Sequence, residues 1–196
     1  MEIMNLWWLL IPISYVLGTF PTAHIVAGLV GHDPTAEGSG NPGATNVYRV
    51  AGKKAGAIVL IGDLLKGVVP SLVCLLIDGR TLALAAGMAA MIGHVAPITR
   101  KFNGGKGVAT LTGLSSVLYP FVTLGAFIIW IPLMKLFKRA SLGSIIVVLL
   151  LPLGVLIMPE TRWYEVIVTG AASAVVTARH HENIKRLFKG EEKAIE

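Results

Sequence analysis

Residues Gly93–Thr110 read G-H-V-A-P-I-T-R-K-F-N-G-G-K-G-V-A-T and lie between two apolar stretches. Gly104, Gly105 and Gly107 have no Cβ, so backbone N–H groups there can come close to an anion. Lys106 adds charge, and a helix starting just beyond points its positive end at the same spot. Such a segment suits a phosphate. A second use of the same glycines is close helix packing, with no anion involved. The nucleotide-binding pattern G-x-x-x-x-G-K-[ST] is not met, because Gly107 follows Lys106 where Ser or Thr should stand, so a nucleoside triphosphatase is not expected. His94, just upstream, is expected to be a bundle histidine bonded to backbone.

Two further polar segments carry similar chemistry. Glu37–Arg49 reads E-G-S-G-N-P-G-A-T-N-V-Y-R. Ser39, Asn41, Thr45 and Asn46 offer short hydrogen bonds, and Arg49 can grip a phosphate with two. The same residues favour turns, so a flexible connection also fits, although a loop this long in a helix bundle tends to be functional. The third segment, Arg179–Glu191, reads R-H-H-E-N-I-K-R-L-F-K-G-E. Its lysines and arginines suit anionic lipid. If a helix continues through it, His180 and Asn183 share one face a turn apart, and His181 and Glu182 point elsewhere.

The elements holding these segments are apolar. Hydrophobic residues make up 54% of the chain and charged residues 14%, with mean hydropathy +0.72, so an all-α integral membrane protein is expected, one domain over residues 1–196. Spans are expected at Met4–Val30, Ala55–Ile77, Thr81–Ile98, Leu142–Met158 and Trp163–Ala178. Val108–Met134 is long for one span and short for two, with Tyr119-Pro120 in its middle.

Charge decides between these. Lysine and arginine gather in cytoplasmic loops. Basic clusters stand at Arg49–Lys54, Arg100–Lys106, Lys135–Arg139 and in the tail. All fall on one side only if Val108–Met134 turns back near Tyr119. Seven transmembrane helices follow, with the N-terminus outside, the C-terminus cytoplasmic and the first helix an uncleaved signal anchor. The net charge of +6 then reads as topology plus attraction for phosphate or anionic lipid, not nucleic acid. Neither an internal repeat nor paired half-helices mark an inverted-repeat transporter.

Within the spans, Asp63 and Lys66 stand three apart, which permits an ion pair; a functional pair at membrane depth and a structural one both fit. His24 carries the same two readings. Cys74, the single cysteine, is expected to be packing. No histidine–carboxylate spacing suggests a metal, and no cofactor is expected. The acyltransferase pattern H-x-x-x-x-D is absent: none of the five histidines has aspartate five positions on. The residues alone leave open an enzyme acting on phosphorylated molecules or a transporter for a phosphorylated anion. Polar motifs confined to one face count against a permeation path.

Taken in order, Ser39–Arg49 (S-G-N-P-G-A-T-N-V-x-R), Gly93–Thr110 and Arg179–Leu187 (R-H-x-x-N-I-K-R-L) resemble the three cytoplasmic motifs of the bacterial acyl-phosphate:glycerol-3-phosphate acyltransferases of the PlsY family. The resemblance covers nearly the whole chain. It implies seven membrane helices in the bacterial inner membrane and an active site facing the cytoplasm. The implied reaction passes an acyl group from acyl phosphate to glycerol 3-phosphate, giving lysophosphatidic acid. Ser39, His180 and Asn183 are then the expected catalytic residues. Asn41, Thr45, Asn46, Arg49, Gly104, Gly105, Lys106 and Gly107 are the expected phosphate-binding residues. Membrane lipids are the surroundings; the oligomeric state is not set by the sequence, and a monomer suffices.

Overall fold

The computed structural model describes residues 6–195, so Met4 and Asn5, at the start of the first expected span, lie outside the described residues. Everything regular in the described chain is helix. A 3-10 turn, Leu6–Leu9, leads into α1 (Leu10–Gly18) and α2 (Thr22–Gly28). The first span is thus not one helix. Pro21 has no N–H and leaves the helical region (φ −86°, ψ 58°), bending the run there.

The long helix α3 (Ala44–Val95) contains non-helical backbone at Gly52, Asp78 and Gly79, which divides it into segments 44–51, 53–77 and 80–95. The second and third match the spans expected at Ala55–Ile77 and Thr81–Ile98, though the third stops at Val95. Ala96 leaves the helical region there (φ −131°, ψ 65°), ahead of Pro97. The ambiguous run divides as the charge argument requires, into α4 (Val108–Leu118) and α5 (Pro120–Phe137), with Tyr119 non-helical (φ −135°) ahead of Pro120. Then come α6 (Ala140–Leu156), α7 (Trp163–Arg179) and a short α8 (His181–Phe188).

The chain forms two compact units, one ending at Leu118 and one starting at Tyr119. In the first, α1 and α4 both pack against α3. The approach of α4 is close enough to need glycine on each side. A Cβ on Gly67 would strike the Thr110 carbonyl, and one on Gly113 would strike the Leu64 carbonyl. The Tyr15 hydroxyl pins the exit of α3, donating to the Ala96 carbonyl (2.9 Å) and accepting from the Ile98 N–H (3.1 Å). In the second unit, α6 packs on both α5 and α7, and the buried Tyr119 hydroxyl donates to Glu165 Oε2 at 2.9 Å.

Burial is inverted relative to a soluble domain. Leu76, Phe121, Leu136 and Ile157 are among many large apolar side chains left exposed, whereas Ser14, Ser71, Ser115, Ser144 and Ser173 are buried. Small and hydroxyl residues inside with leucine and phenylalanine outside are how helices pack in lipid. Leu6–Gly28, Ala44–Arg100 and Pro120–Phe137 are long and apolar enough to cross a membrane.

Gly113→Ala should therefore cost about 1–3 kcal/mol, the usual range for overpacking. Gly125 in α5 has open space around its Cβ position, so Gly125→Ala should be neutral or stabilising by up to about 1 kcal/mol through helix propensity. Thermal unfolding of the two variants in detergent checks this; equal midpoints would contradict the close approach.

Candidate functional site

The loop before α3 is a built structure, not a flexible connection. Asn46, in the first turn of α3 and 1% exposed, organises it. Its Oδ1 accepts from the Ser39 N–H (2.7 Å), and its Nδ2 donates to the carbonyls of Pro34 (2.8 Å) and Glu37 (3.0 Å). Gly38 turns beneath it with φ +66°, and a Cβ there would meet Asn46 Oδ1. Both amide donors and one of two acceptor positions are thus taken by the loop itself. Asn46, expected to hold phosphate, instead shapes the turn that presents Ser39, Asn41 and Thr45.

Carboxylates close the loop's other side. Glu37 Oε2 meets His32 Nδ1 at 2.8 Å and Oε1 accepts from the Asp33 N–H at 3.0 Å, which together hold the Glu37 carboxyl below its ordinary pKa. Asp33 Oδ1 accepts from the Thr35 hydroxyl and N–H, with the same effect on Asp33. Ser39 is exposed, and Asn41, Thr45 and Arg49 are half-buried.

The glycine loop differs from its expected form. The Gly105 N–H donates to the His94 carbonyl (3.1 Å) and the Gly104 N–H to the Val95 carbonyl (3.2 Å). Those N–H groups therefore cap the end of α3 rather than point at an anion. A Cβ on Gly104 would strike the His94 carbonyl, and one on Gly105 the His94 ring. Close packing is one use these two glycines have. Gly107 is different: its φ of +89° sets the turn into α4. Between the glycine pair and α4 stands the half-buried Lys106.

Behind the loop lies a buried charged cluster. Lys66 Nζ is 2.6 Å from Asp63 Oδ1, so the expected ion pair forms. His94 Nδ1 stands 3.5 Å from the same oxygen. The expectation of a backbone partner for His94 is corrected: its ring faces a carboxylate, because Gly105 lets the ring in. Thr110 Oγ1 donates to the Asp63 carbonyl (2.9 Å), tying α4 to the cluster. Asp63, Lys66 and His94 border an open hollow that also takes in Thr19, Thr22, His24 and Arg100.

In the second unit the tail motif is equally specific. The helix does not run through it: α7 stops at Arg179, His180 (φ −95°, ψ 8°) caps it, and α8 begins at His181. Burial still follows the expected face. His180 and Asn183 are buried, and His181 and Glu182 are exposed and pair at 3.2 Å. His180 Nδ1 lies 2.7 Å from the Val176 carbonyl. A carbonyl only accepts, so Nδ1 carries the proton, and in the neutral ring Nε2 is the basic nitrogen.

Asn183 Nδ2 donates to Glu192 Oε1 (2.6 Å), which also accepts from the Ser141 hydroxyl (2.7 Å); Arg186 Nε is 2.8 Å from Oε2. Burial pushes the Glu192 carboxyl up, but these three hydrogen bonds outweigh it and hold the pKa below the ordinary value. Sequence reasoning missed Glu192. Among the tail charges of E-E-K-A-I-E, nothing marks it, and the chain reversal that buries it rests on a remote bond from the Ile195 N–H to the Lys138 carbonyl (2.7 Å).

Comparison with known proteins agrees along the whole length. The sequence model of the family described as glycerol-3-phosphate acyltransferase matches residues 8–190. The glycerol-3-phosphate acyltransferase of Syntrophotalea carbinolica is 43% identical over 194 residues, covering 96% of this chain and 97% of that one. That of Geobacter sulfurreducens is 42% identical over 185 residues, covering 94% and 95%. The structure is similar to two crystal structures of PlsY (YgiH), an integral membrane glycerol 3-phosphate acyltransferase. Its glycerol 3-phosphate form matches with TM-score 0.92 and 33% identity, over 97% of this chain and 96% of that one. Its lysophosphatidic acid form matches with TM-score 0.88 and 35% identity, over 97% and 95%.

The Glu192 anchor carries a pH signature. A carboxyl whose folded pKa is depressed stabilises fully above its unfolded value and loses that contribution as pH falls through the folded value. The tail should stay docked at pH 7 and pH 5.5 and loosen only once the pH falls below the ordinary glutamate range. A spin label at exposed position 194, in a Cys74→Ala background, reads this; mobility rising already at pH 6 would contradict it.

Proposed function

We propose that this chain, which belongs to the glycerol-3-phosphate acyltransferase family, takes its acyl group from an acyl phosphate and does so at the cytoplasmic face. It is a membrane glycerol-3-phosphate acyltransferase of phospholipid synthesis, producing lysophosphatidic acid. Full-length likeness to an enzyme crystallised in glycerol 3-phosphate and lysophosphatidic acid forms is the observation that carries this.

The acceptor hydroxyl attacks the acyl carbonyl carbon, the carbon–oxygen bond to phosphate breaks, and phosphate leaves. A phosphate is already a good leaving group, so the protein has to bind, orient and stabilise the oxyanion. Arg49 and Lys106 grip phosphate, with Asn41 and Thr45 beside them and the Ser39 hydroxyl donating to the developing oxyanion. His180 and Asn183 orient glycerol 3-phosphate. The hydroxyl proton passes to a phosphate oxygen of the acyl phosphate; phosphate oxygens in the site can accept a proton, as the second pKa near 6 of a phosphate monoester illustrates. Two facts support this over a histidine base. His180 Nδ1 is held by the neutral Val176 carbonyl, and the neighbouring Arg179 and Lys185 disfavour an imidazolium.

Seven crossings, with the N-terminus outside and the C-terminus and all basic loops cytoplasmic, complete the reading, in the bacterial inner membrane and as a single functional domain. At 1.5 Å per residue α4 covers only about 17 Å. Its crossing needs non-helical backbone at membrane depth, which is tolerated where protein buries it; Gly104, Gly105 and Gly107 are buried.

Purified protein in detergent should make lysophosphatidic acid from acyl phosphate and glycerol 3-phosphate with chelator present, and use acyl-CoA poorly. Equal rates with both donors would overturn the donor assignment. In the same assay His180→Gln should keep at least about a tenth of kcat; losses of 10²–10⁴-fold with unchanged KM are the usual mark of a lost general base and would restore that role.

Arg49→Ala and Lys106→Ala should each lower kcat/KM more than about tenfold, since a charge-assisted contact is worth about 1.5–3 kcal/mol. Near wild-type kinetics in both would remove them from the site.

A further inference from the structure

Lys106 stands in a loop whose two ends lead back to one residue of α3. Upstream, His94 holds the glycine pair. Its carbonyl accepts from the Gly105 N–H at 3.1 Å, and its Nε2 edge is what a Cβ on Gly105 would meet first. The other nitrogen of that ring, Nδ1, faces Asp63 Oδ1 at 3.5 Å. Downstream, in the first turn of α4, the buried Thr110 hydroxyl donates to the Asp63 carbonyl at 2.9 Å. Asp63 therefore reaches one end of the loop through its carboxylate and the other through its backbone. Packing alone does not need a charge here. Burying an ion pair is costly, and apolar side chains of similar size usually stabilise as well or better. A carboxylate does something an apolar group cannot: it only accepts, so it fixes which nitrogen of His94 faces it and carries the proton. That choice sets the ring edge turned to Gly105. Lys66, 2.6 Å from the same oxygen, supplies the countercharge that lets a carboxylate stand at this depth.

We propose that Asp63 is a positioning residue for acyl transfer, acting through His94 and Thr110 on the loop that carries Lys106. It aims the His94 ring against Gly105 and ties down the start of α4, so the chain on both sides of Lys106 is held and the ammonium meets phosphate without reordering the loop. The charged cluster is then part of the working enzyme and not only of its fold. This rests on the role given to Lys106 above.

Steady-state kinetics and thermal unfolding of the full chain in detergent test it. Asp63→Asn by itself would leave Lys66 buried without a countercharge. The first variant therefore joins Asp63→Asn to Lys66→Met, which removes both charges and nearly keeps the volume. The second, His94→Phe, keeps a ring against Gly105 and loses the N–H toward Asp63; it decides the matter if the first does not fold. Each should unfold cooperatively like wild type, yet lower kcat/KM at least about tenfold, as loss of a charge-assisted contact does. Added to Lys106→Ala, each should cost nothing more, because its effect runs through that side chain. A folded variant that loses less than this, losses that multiply with that of Lys106→Ala, or failure of both variants to fold would make the cluster a structural brace and overturn the proposal. Wild-type kinetics in Lys106→Ala would instead refute the role of Lys106, and wild type making no lysophosphatidic acid would refute the activity; either takes this proposal with it.

Discussion

A backbone N–H or C=O left without a partner in hydrocarbon costs several kcal/mol, and that cost decides where this chain can stop being helical. Three of the breaks are repaired on the spot. At the Pro21 bend, the Phe20 N–H reaches Leu17 O (3.2 Å) and the Thr22 N–H reaches Phe20 O (3.0 Å). The last carbonyl of α4, Leu118, accepts from the Arg80 guanidinium at 3.2 Å. The end of α3 takes the N–H groups of Gly104 and Gly105. The glycine loop is therefore first a solution to a backbone problem. Its glycines must be glycines because the chain doubles back against His94, and the buried loop that results can carry Lys106.

The same constraint explains what could be read from the sequence. Element existence was legible wherever a run of apolar residues met a breaker: Tyr119-Pro120 and Asp78-Gly79 act through local backbone sterics, so their effect needs no knowledge of the fold. The bend at Pro21 follows from the same rule and was passed over because the hydropathy of Met4–Val30 is continuous. The candidate residues were legible as segments but not as roles. Asn46 and Asn41 look alike in a string of turn formers; only tertiary contacts give Asn46 to the loop backbone. Gly104 and Gly105 have two uses that composition cannot separate, and only the fold shows that close packing against His94 is one they serve. Glu192 was invisible, because its partners lie 6, 9 and 51 positions away.

Inside the first unit, the Asp63–Lys66 pair and His94 show a further economy. Three ionisable side chains at membrane depth would each be costly alone, and they are tolerable because they satisfy one another within one helix turn and one helix crossing. Thr110 ties that cluster to α4 on the face where Gly67 and Gly113 allow contact. The cluster, the glycine crossing and the loop carrying Lys106 are thus one mechanical assembly, in which polar partners set the register and glycines set the distance.

Asn46 and Glu192 solve the same problem in opposite chemistry. One is a buried amide whose donors grip two carbonyls and whose oxygen takes an N–H, so a polar loop holds its shape without a hydrophobic core. The other is a buried carboxylate that forces a neighbouring amide into one orientation. Both sit beside residues assigned to substrate rather than among them. That division suits an enzyme whose substrate brings its own leaving group and, on the proposal above, its own proton acceptor. With so little acid–base work left to the side chains, rate depends on where hydrogen-bonding atoms point. Each of these polar groups is held by bonds within the protein: Asn46 by three, His180 by its Nδ1–H on the Val176 carbonyl, and Asn183 by its amide on the Glu192 carboxylate.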